Sequence, residues 1–175
     1  QTIEFVQRSQ RARLAQILNQ LNEAIRVALK QDKQDAETRD GMDIAICLYD
    51  KTSRKLEYSG AYRPLYLIRG GGALEVIEAD KFPIGGMYTG EKKQFTNYTI
   101  ELRPGDTVYL FTDGILDQFG GEMNKKFMAK RFRELLLTIQ DLSMPEQEKA
   151  IQKSYWQWKG SNEQVDDVLV IGIRF

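Results

Sequence analysis

The sequence predicts an α+β fold, and three observations carry that expectation. An apolar stripe at helical spacing opens the chain, a long middle region alternates in the manner of antiparallel hairpins, and a second helical stretch leads into one last apolar run.

Leu14, Ile17, Leu18, Leu21, Ile25, Ala28 and Leu29 recur at helical spacing, with Arg, Asn, Gln and Glu between them, which predicts one amphipathic helix near residues 10 to 31. The stripe suits packing on a sheet. Being nearly heptad-like, it also suits a dimerisation helix, and whether it finds a partner within the chain decides between the two. Asp32 to Arg39 is polar and charged and reads as a mobile loop.

Met42 to Tyr49 reads as a buried strand, Lys51-Thr52-Ser53-Arg54 as a turn, and Lys55 to Tyr62 as the returning strand of a hairpin. Leu65 to Arg69 and Ala73 to Ile77 form a second hairpin around Gly70-Gly71-Gly72. No Lys-Ser/Thr or helix start follows those glycines, so a hairpin tip is expected there rather than a phosphate loop. Phe95 to Leu102 is a further strand, and Arg103-Pro104-Gly105-Asp106 turns into the apolar strand Val108 to Phe111.

Past Gly120-Gly121 the pattern is helical through Phe127, Phe132, Leu135, Leu136 and Ile139, and again from Pro145 toward Trp158, with Ser143 placed as a helix N-cap. Trp156 and Trp158 suit either core packing or a binding platform, and core packing is expected. Gly160-Ser161-Asn162 returns the chain to the final strand, Val168 to Ile173.

Composition limits the chemistry. At 175 residues with 42% hydrophobic residues, the chain suffices for one domain, 1–175. Lys+Arg and Asp+Glu balance at 25 each, so nothing marks a nucleic-acid surface. No apolar run approaches a membrane span and no apolar signal segment opens the chain, which reads as cytoplasmic with no membrane contact of its own. The absence of histidine excludes Ser-His-Asp and Cys-His catalysis within the chain, and His-ligated zinc. Cys47 has no partner for a disulfide and reads as an inert core residue. Any hydrolytic chemistry would rest on carboxylates, lysines, hydroxyls or a metal, and oxygen ligands favour a hard ion, magnesium or manganese.

Phe111-Thr112-Asp113-Gly114 places a carboxylate and a glycine directly after a buried strand, where a rigid end can aim the one and the other allows a sharp turn. Asp166-Asp167 precedes the terminal strand. Two strand-flanking acidic sites suggest a metal centre, although an aspartate in either place also caps turns. Asp117 shares a side with Asp113 if the turn is helical; surface electrostatics is its other reading. Asp40 and Asp43 have ligand-like spacing, which by itself is weak evidence of a metal role.

The ordered set Asp40-Gly41-Met42-Asp43-Ile44-Ala45, Tyr58-Ser59-Gly60-Ala61 with Pro64-Leu65-Tyr66, Phe82-Pro83-Ile84-Gly85, Phe111-Thr112-Asp113-Gly114 and Asp166-Asp167-Val168 resembles bacterial SpoIIE/RsbU-type serine/threonine phosphatases, members of the metal-dependent PP2C (PPM) group. The resemblance runs from about residue 14 to the end. It implies an α-β-β-α sandwich of two antiparallel sheets flanked by helices, with a two-ion Mg2+ or Mn2+ site at one edge. It further implies that Asp113 and Asp166 are catalytic metal ligands and that Gly114 lines the site; Asp167, whose neighbour fits the ligand position better, ranks second and suits an acceptor behind the ligands. The implied reaction is hydrolysis of phosphoserine or phosphothreonine on a regulatory protein, such as an anti-sigma-factor antagonist, by a metal-activated water.

Family members begin with a strand bearing Gly-Asp and a second bearing an Asp followed by Gly-His-Gly; neither motif occurs in this sequence, and the family's Gly-His-Asn-Pro segment reads Gly60-Ala61-Tyr62-Arg63-Pro64. The expectation is therefore an N-terminally truncated phosphatase domain, inactive or weak and prone to homo-oligomerise through exposed sheet edges. Its parent would be anchored, if at all, through an upstream sensor region. The alternative is a non-catalytic regulatory or dimerisation module.

Overall fold

Residues 14–31, 40–86 and 93–175 are described in the structure, a computed structural model; the predicted loop at 32–39 lies outside them. The chain divides into two compact units, residues 1–64 with 78–102, and residues 65–77 with 103–175.

In the first unit α1 (Leu14–Ala28) precedes β1 (Gly41–Met42), β2 (Ile44–Asp50) and β3 (Lys55–Ala61). Strand β3 sits between β2 and β7 (Tyr98–Glu101) in an antiparallel sheet, while β1 pairs with β6 (Ile84–Gly85). The helix forms where the apolar stripe recurs, and the stripe does find a partner: Leu18, Leu21 and Ile25 pack with Ala61, Phe82, Ile84 and Phe95. Full burial of a leucine such as Leu18 contributes about 1.5–3 kcal/mol. Polar residues of the same helix hold the loops, since Asn19 Oδ1 accepts from Phe95 N (3.0 Å) and Asn22 Oδ1 from Gly85 N (2.8 Å). The packing role, one of the two readings of the stripe, is thus filled within the chain.

In the second unit β4 (Leu65–Ile68) and β5 (Leu74–Ile77) form the glycine-tipped hairpin, and the sheet order is β11-β8-β4-β5, with β8 at Thr107–Phe111 and β11 at Val170–Arg174. Helices α2 (Gly114–Asp117), α3 (Met128–Ile139) and α4 (Met144–Lys159) complete it, with the small hairpin β9 (Phe119–Gly120) and β10 (Lys125–Lys126). Tyr66, Tyr109 and Phe111 from the sheet meet Phe132 and Leu136 of α3 and Ile151 and Tyr155 of α4 in one core. Ser143 caps α4 as the sequence predicts, in a capping box with Glu146.

Three expectations need correction. The strand predicted over Met42 to Tyr49 is broken at Asp43, whose carboxylate pairs with Arg63 at 2.7 Å; the short β1 turns away to meet β6. The short elements β6, β9, β10 and α2 escape periodicity because two to four residues hold no period to detect. Core packing holds for Trp158, which lies against the second unit's core, whereas Trp156 is 58% exposed.

Candidate metal centre

The site is built where β8 stops and β11 starts. After Phe111 the chain leaves β8, and Asp113 becomes the N-cap of α2, its carbonyl accepting from Leu116 N and Asp117 N at 2.8 Å each. Thr112 joins the two strand ends: its amide donates to Leu169 O (3.0 Å), its hydroxyl donates to Asp167 O (2.8 Å), and its Oγ1 accepts from Leu169 N (2.9 Å). The Asp166 carboxylate accepts from Asp167 N at 2.7 Å, and Gln164 Nε2 donates to Asp166 O at 2.9 Å. The acidic pair is thereby held in a hydrogen-bonded turn.

Gly114 is the point of closest approach. A Cβ there would collide with Asp167 O and lie 3.1 Å from Asp166 O, so only a residue without a side chain lets the Asp166-Asp167 backbone cross above α2. Asp113, Gly114, Asp166 and Asp167, which lie far apart in sequence, are brought together at one end of the sheet. Asp117 is placed differently, with its carboxylate 3.1 Å from Lys126 Nζ on β10, a half-exposed ion pair.

Two residues that the sequence reading passed over support this edge. Thr112 is one; the other is Gln118, fully buried directly after α2. Gln118 Oε1 accepts from Tyr155 OH (3.0 Å), while Nε2 donates to Phe119 O (3.0 Å) and to Glu163 O (2.9 Å), tying α4 and the chain ahead of Asp166 to the end of α2. A glutamine directly after a predicted helical turn carried no local signal, because its partners are tertiary.

Aspartate oxygens are the donors that hard divalent cations prefer, so the residues present fit magnesium or manganese in kind. In number they fall short: no group of three or more His, Cys, Asp or Glu placed to hold a metal occurs among the described residues.

A family model for stage II sporulation protein E (SpoIIE) matches residues 4–175. The chain belongs to the SpoIIE family of PP2C-type phosphatase domains. The solved SiaA-PP2C domain of Pseudomonas aeruginosa is 30% identical with a TM-score of 0.79, the match covering 92% of this chain and 60% of that one. The chain therefore spans about three-fifths of the length of that domain. The manganese-presoaked SpoIIE phosphatase domain of Bacillus subtilis is 14% identical (TM-score 0.59; 95% of this chain, 75% of that one). RsbX in complex with magnesium is 16% identical (TM-score 0.57; 97% and 68%). These last two establish the shared PP2C fold alone. A comparison with curated protein sequences gives no match. No helix among the described residues is long and apolar enough to cross a membrane.

Proposed function

We propose that this chain forms part of a metal-dependent serine/threonine protein phosphatase of bacterial signalling, hydrolysing phosphoserine or phosphothreonine on a regulatory protein such as an anti-sigma-factor antagonist. The observation that supports the reading is the close approach of the Asp166-Asp167 backbone to Gly114, the neighbour of Asp113. Asp113 and Asp166 would hold the metal, with Asp167 behind them. Magnesium or manganese, when bound, supplies a water of lowered pKa and a clamp for phosphoryl oxygens.

The chain's own residues position these groups. Thr112 locks the strand ends through its hydroxyl, Gly114 keeps the approach close, and Gln118 anchors the chain ahead of Asp166. Asp117, engaged by Lys126, supports the helix from the side.

The described residues hold no group of three such donors, and weak turnover by the chain on its own is part of the proposal. The second reading is a non-catalytic regulatory module that keeps the fold. Homo-oligomerisation belongs with either: Leu169, just ahead of the end strand of its sheet, and Ile171 and Ile173 within it stay about half exposed and suit cover by a second copy. A monomer at every concentration in sedimentation velocity would refute that part.

The test is manganese-dependent hydrolysis of p-nitrophenyl phosphate by this chain and by a polypeptide extended upstream. The expected result is weak turnover by the former and robust turnover by the latter, lost in Asp113→Asn. Robust activity of the chain as given refutes the proposed weakness. An inactive extended polypeptide favours the regulatory module.

A further inference from the structure

The hairpin β9–β10 and the first turns of α3 enclose a groove of about 1010 Å3 that takes no part in the candidate metal centre. Its floor is built. A Cβ at Gly120 would collide with the Trp158 backbone, and one at Gly121 would lie 2.7 Å from the indole, so the two glycines let the hairpin close onto that ring. Trp158 Nε1 donates to Gln118 O at 3.0 Å, and the Arg131 guanidinium stacks 4.1 Å from the indole centroid.

The rim has two characters. Phe119, Met123 and Met128 are 39%, 72% and 57% exposed, which puts three large apolar side chains in water around one concavity. Met128 also holds a left-handed backbone, φ 69°, strained for a residue with a side chain and of the kind that gathers at binding sites. Lys125, Lys126, Lys130 and Arg131 line the groove against Glu122 and Glu134, a local cationic excess in a chain whose charges balance overall. Of these, Lys126 is engaged with Asp117, while Lys125 and Lys130 make no ion pair among the described residues.

We propose that this groove docks an acidic segment of a protein partner, anchored by apolar side chains. Flexible methionines suit an adaptable apolar contact, and the unpaired lysines with Arg131 complement carboxylates. Four cations flanked by two carboxylates are too few and too mixed for a nucleic-acid face, and the apolar rim argues for a folded or extended polypeptide rather than a polyanion. The Lys126–Asp117 pair links the groove to the helix that Asp113 begins, so an occupant would lie beside the metal edge. Resting on the phosphatase reading, that occupant is the phosphoprotein substrate, held through a segment separate from its phosphorylated residue.

The test is fluorescence anisotropy of a short, unphosphorylated peptide rich in Asp and Glu with spaced leucines, titrated with this chain in a chelating buffer at low and moderate salt. The expected result is binding that weakens with salt and falls at least about tenfold in Lys125→Glu/Lys130→Glu. Met128→Ser is expected to weaken it roughly threefold with the salt dependence unchanged. All the substituted side chains are exposed, and unchanged melting curves check that the variants fold. Absence of binding, binding that survives the double charge reversal, equal binding of a lysine-rich control peptide, or preference for phosphatidylserine vesicles overturns the proposal. With neither phosphate nor metal in the experiment, its failure leaves the phosphatase reading standing. Inactivity of the extended polypeptide likewise leaves the docking result standing.

Discussion

Replacing Gln118 by leucine would test the support of the candidate metal edge. The side chain is fully buried and makes three hydrogen bonds, accepting from Tyr155 OH at 3.0 Å and donating to Phe119 O and Glu163 O at 3.0 and 2.9 Å. Leucine fills a similar volume, so the loss falls on the polar network rather than on packing. Each bond contributes about 1 kcal/mol net, and leaving the buried Tyr155 hydroxyl unpaired adds about 1 kcal/mol or more, for a total near 3–5 kcal/mol. In a domain of this size about 2–4 °C of melting temperature follows each kcal/mol, so the midpoint should fall by roughly 6–20 °C. Tyr155→Phe removes a single bond and should cost only about 1 kcal/mol, with a double-mutant cycle revealing the coupling. The assay is thermal and urea unfolding followed by circular dichroism. A Gln118→Leu protein within about 1 kcal/mol of the parent would refute the three-bond hub.

Gly114→Ala forces its Cβ against Asp167 O, and the overpacking should cost about 1–3 kcal/mol by the same unfolding assay; unchanged stability would mean that the two segments do not cross so closely. Asp106 is buried, which raises its pKa, but hydrogen bonds from the Arg103 and Gly70 amides and the Arg69 guanidinium outweigh this and hold the carboxyl below the usual range. The unfolded chain then binds the proton more readily, so this contribution is complete above the ordinary carboxylate value near 4 and is lost as pH falls through the lowered folded value. Asp106→Asn should reduce stability at neutral pH and flatten the acid limb of the stability curve; an unaltered limb argues against it. Burial pushes the Cys47 thiol up to about 12, so a disulfide reagent at mildly alkaline pH should label it slowly in the native protein and rapidly in urea. Equal rates would show an open, ordinary thiol.

The elements that the sequence made legible are those whose causes are local. The stripe from Leu14 to Leu29 has enough turns to declare its period, the turn at Lys51 to Arg54 separates two strand-like runs, and Ser143 ahead of a helical pattern marks an N-cap. What stayed hidden depends on distant partners or on very short runs. Asp43 breaks the predicted strand as Gly41-Met42 pairs with Ile84-Gly85, and the β9–β10 hairpin consists of two residues a side. The same split holds for the site. Asp113, Gly114, Asp166 and Asp167 stand out by their place beside apolar strands, whereas Thr112 and Gln118 show their purpose only through bonds to Asp167, Leu169, Glu163 and Tyr155.

By itself the sequence determined an α+β chain of the SpoIIE type, with carboxylates at two strand ends and no histidine chemistry, because residue type, spacing and motif order are properties of the chain alone. Only the tertiary structure decided which of the segments bearing those carboxylates meet. That outcome depends on the register between β8 and β11 and on the missing side chain of Gly114, which together let Asp166-Asp167 pass above α2 while Lys126 takes Asp117. Contacts between residues so distant in sequence are set by packing and hydrogen-bond geometry, which no local pattern encodes.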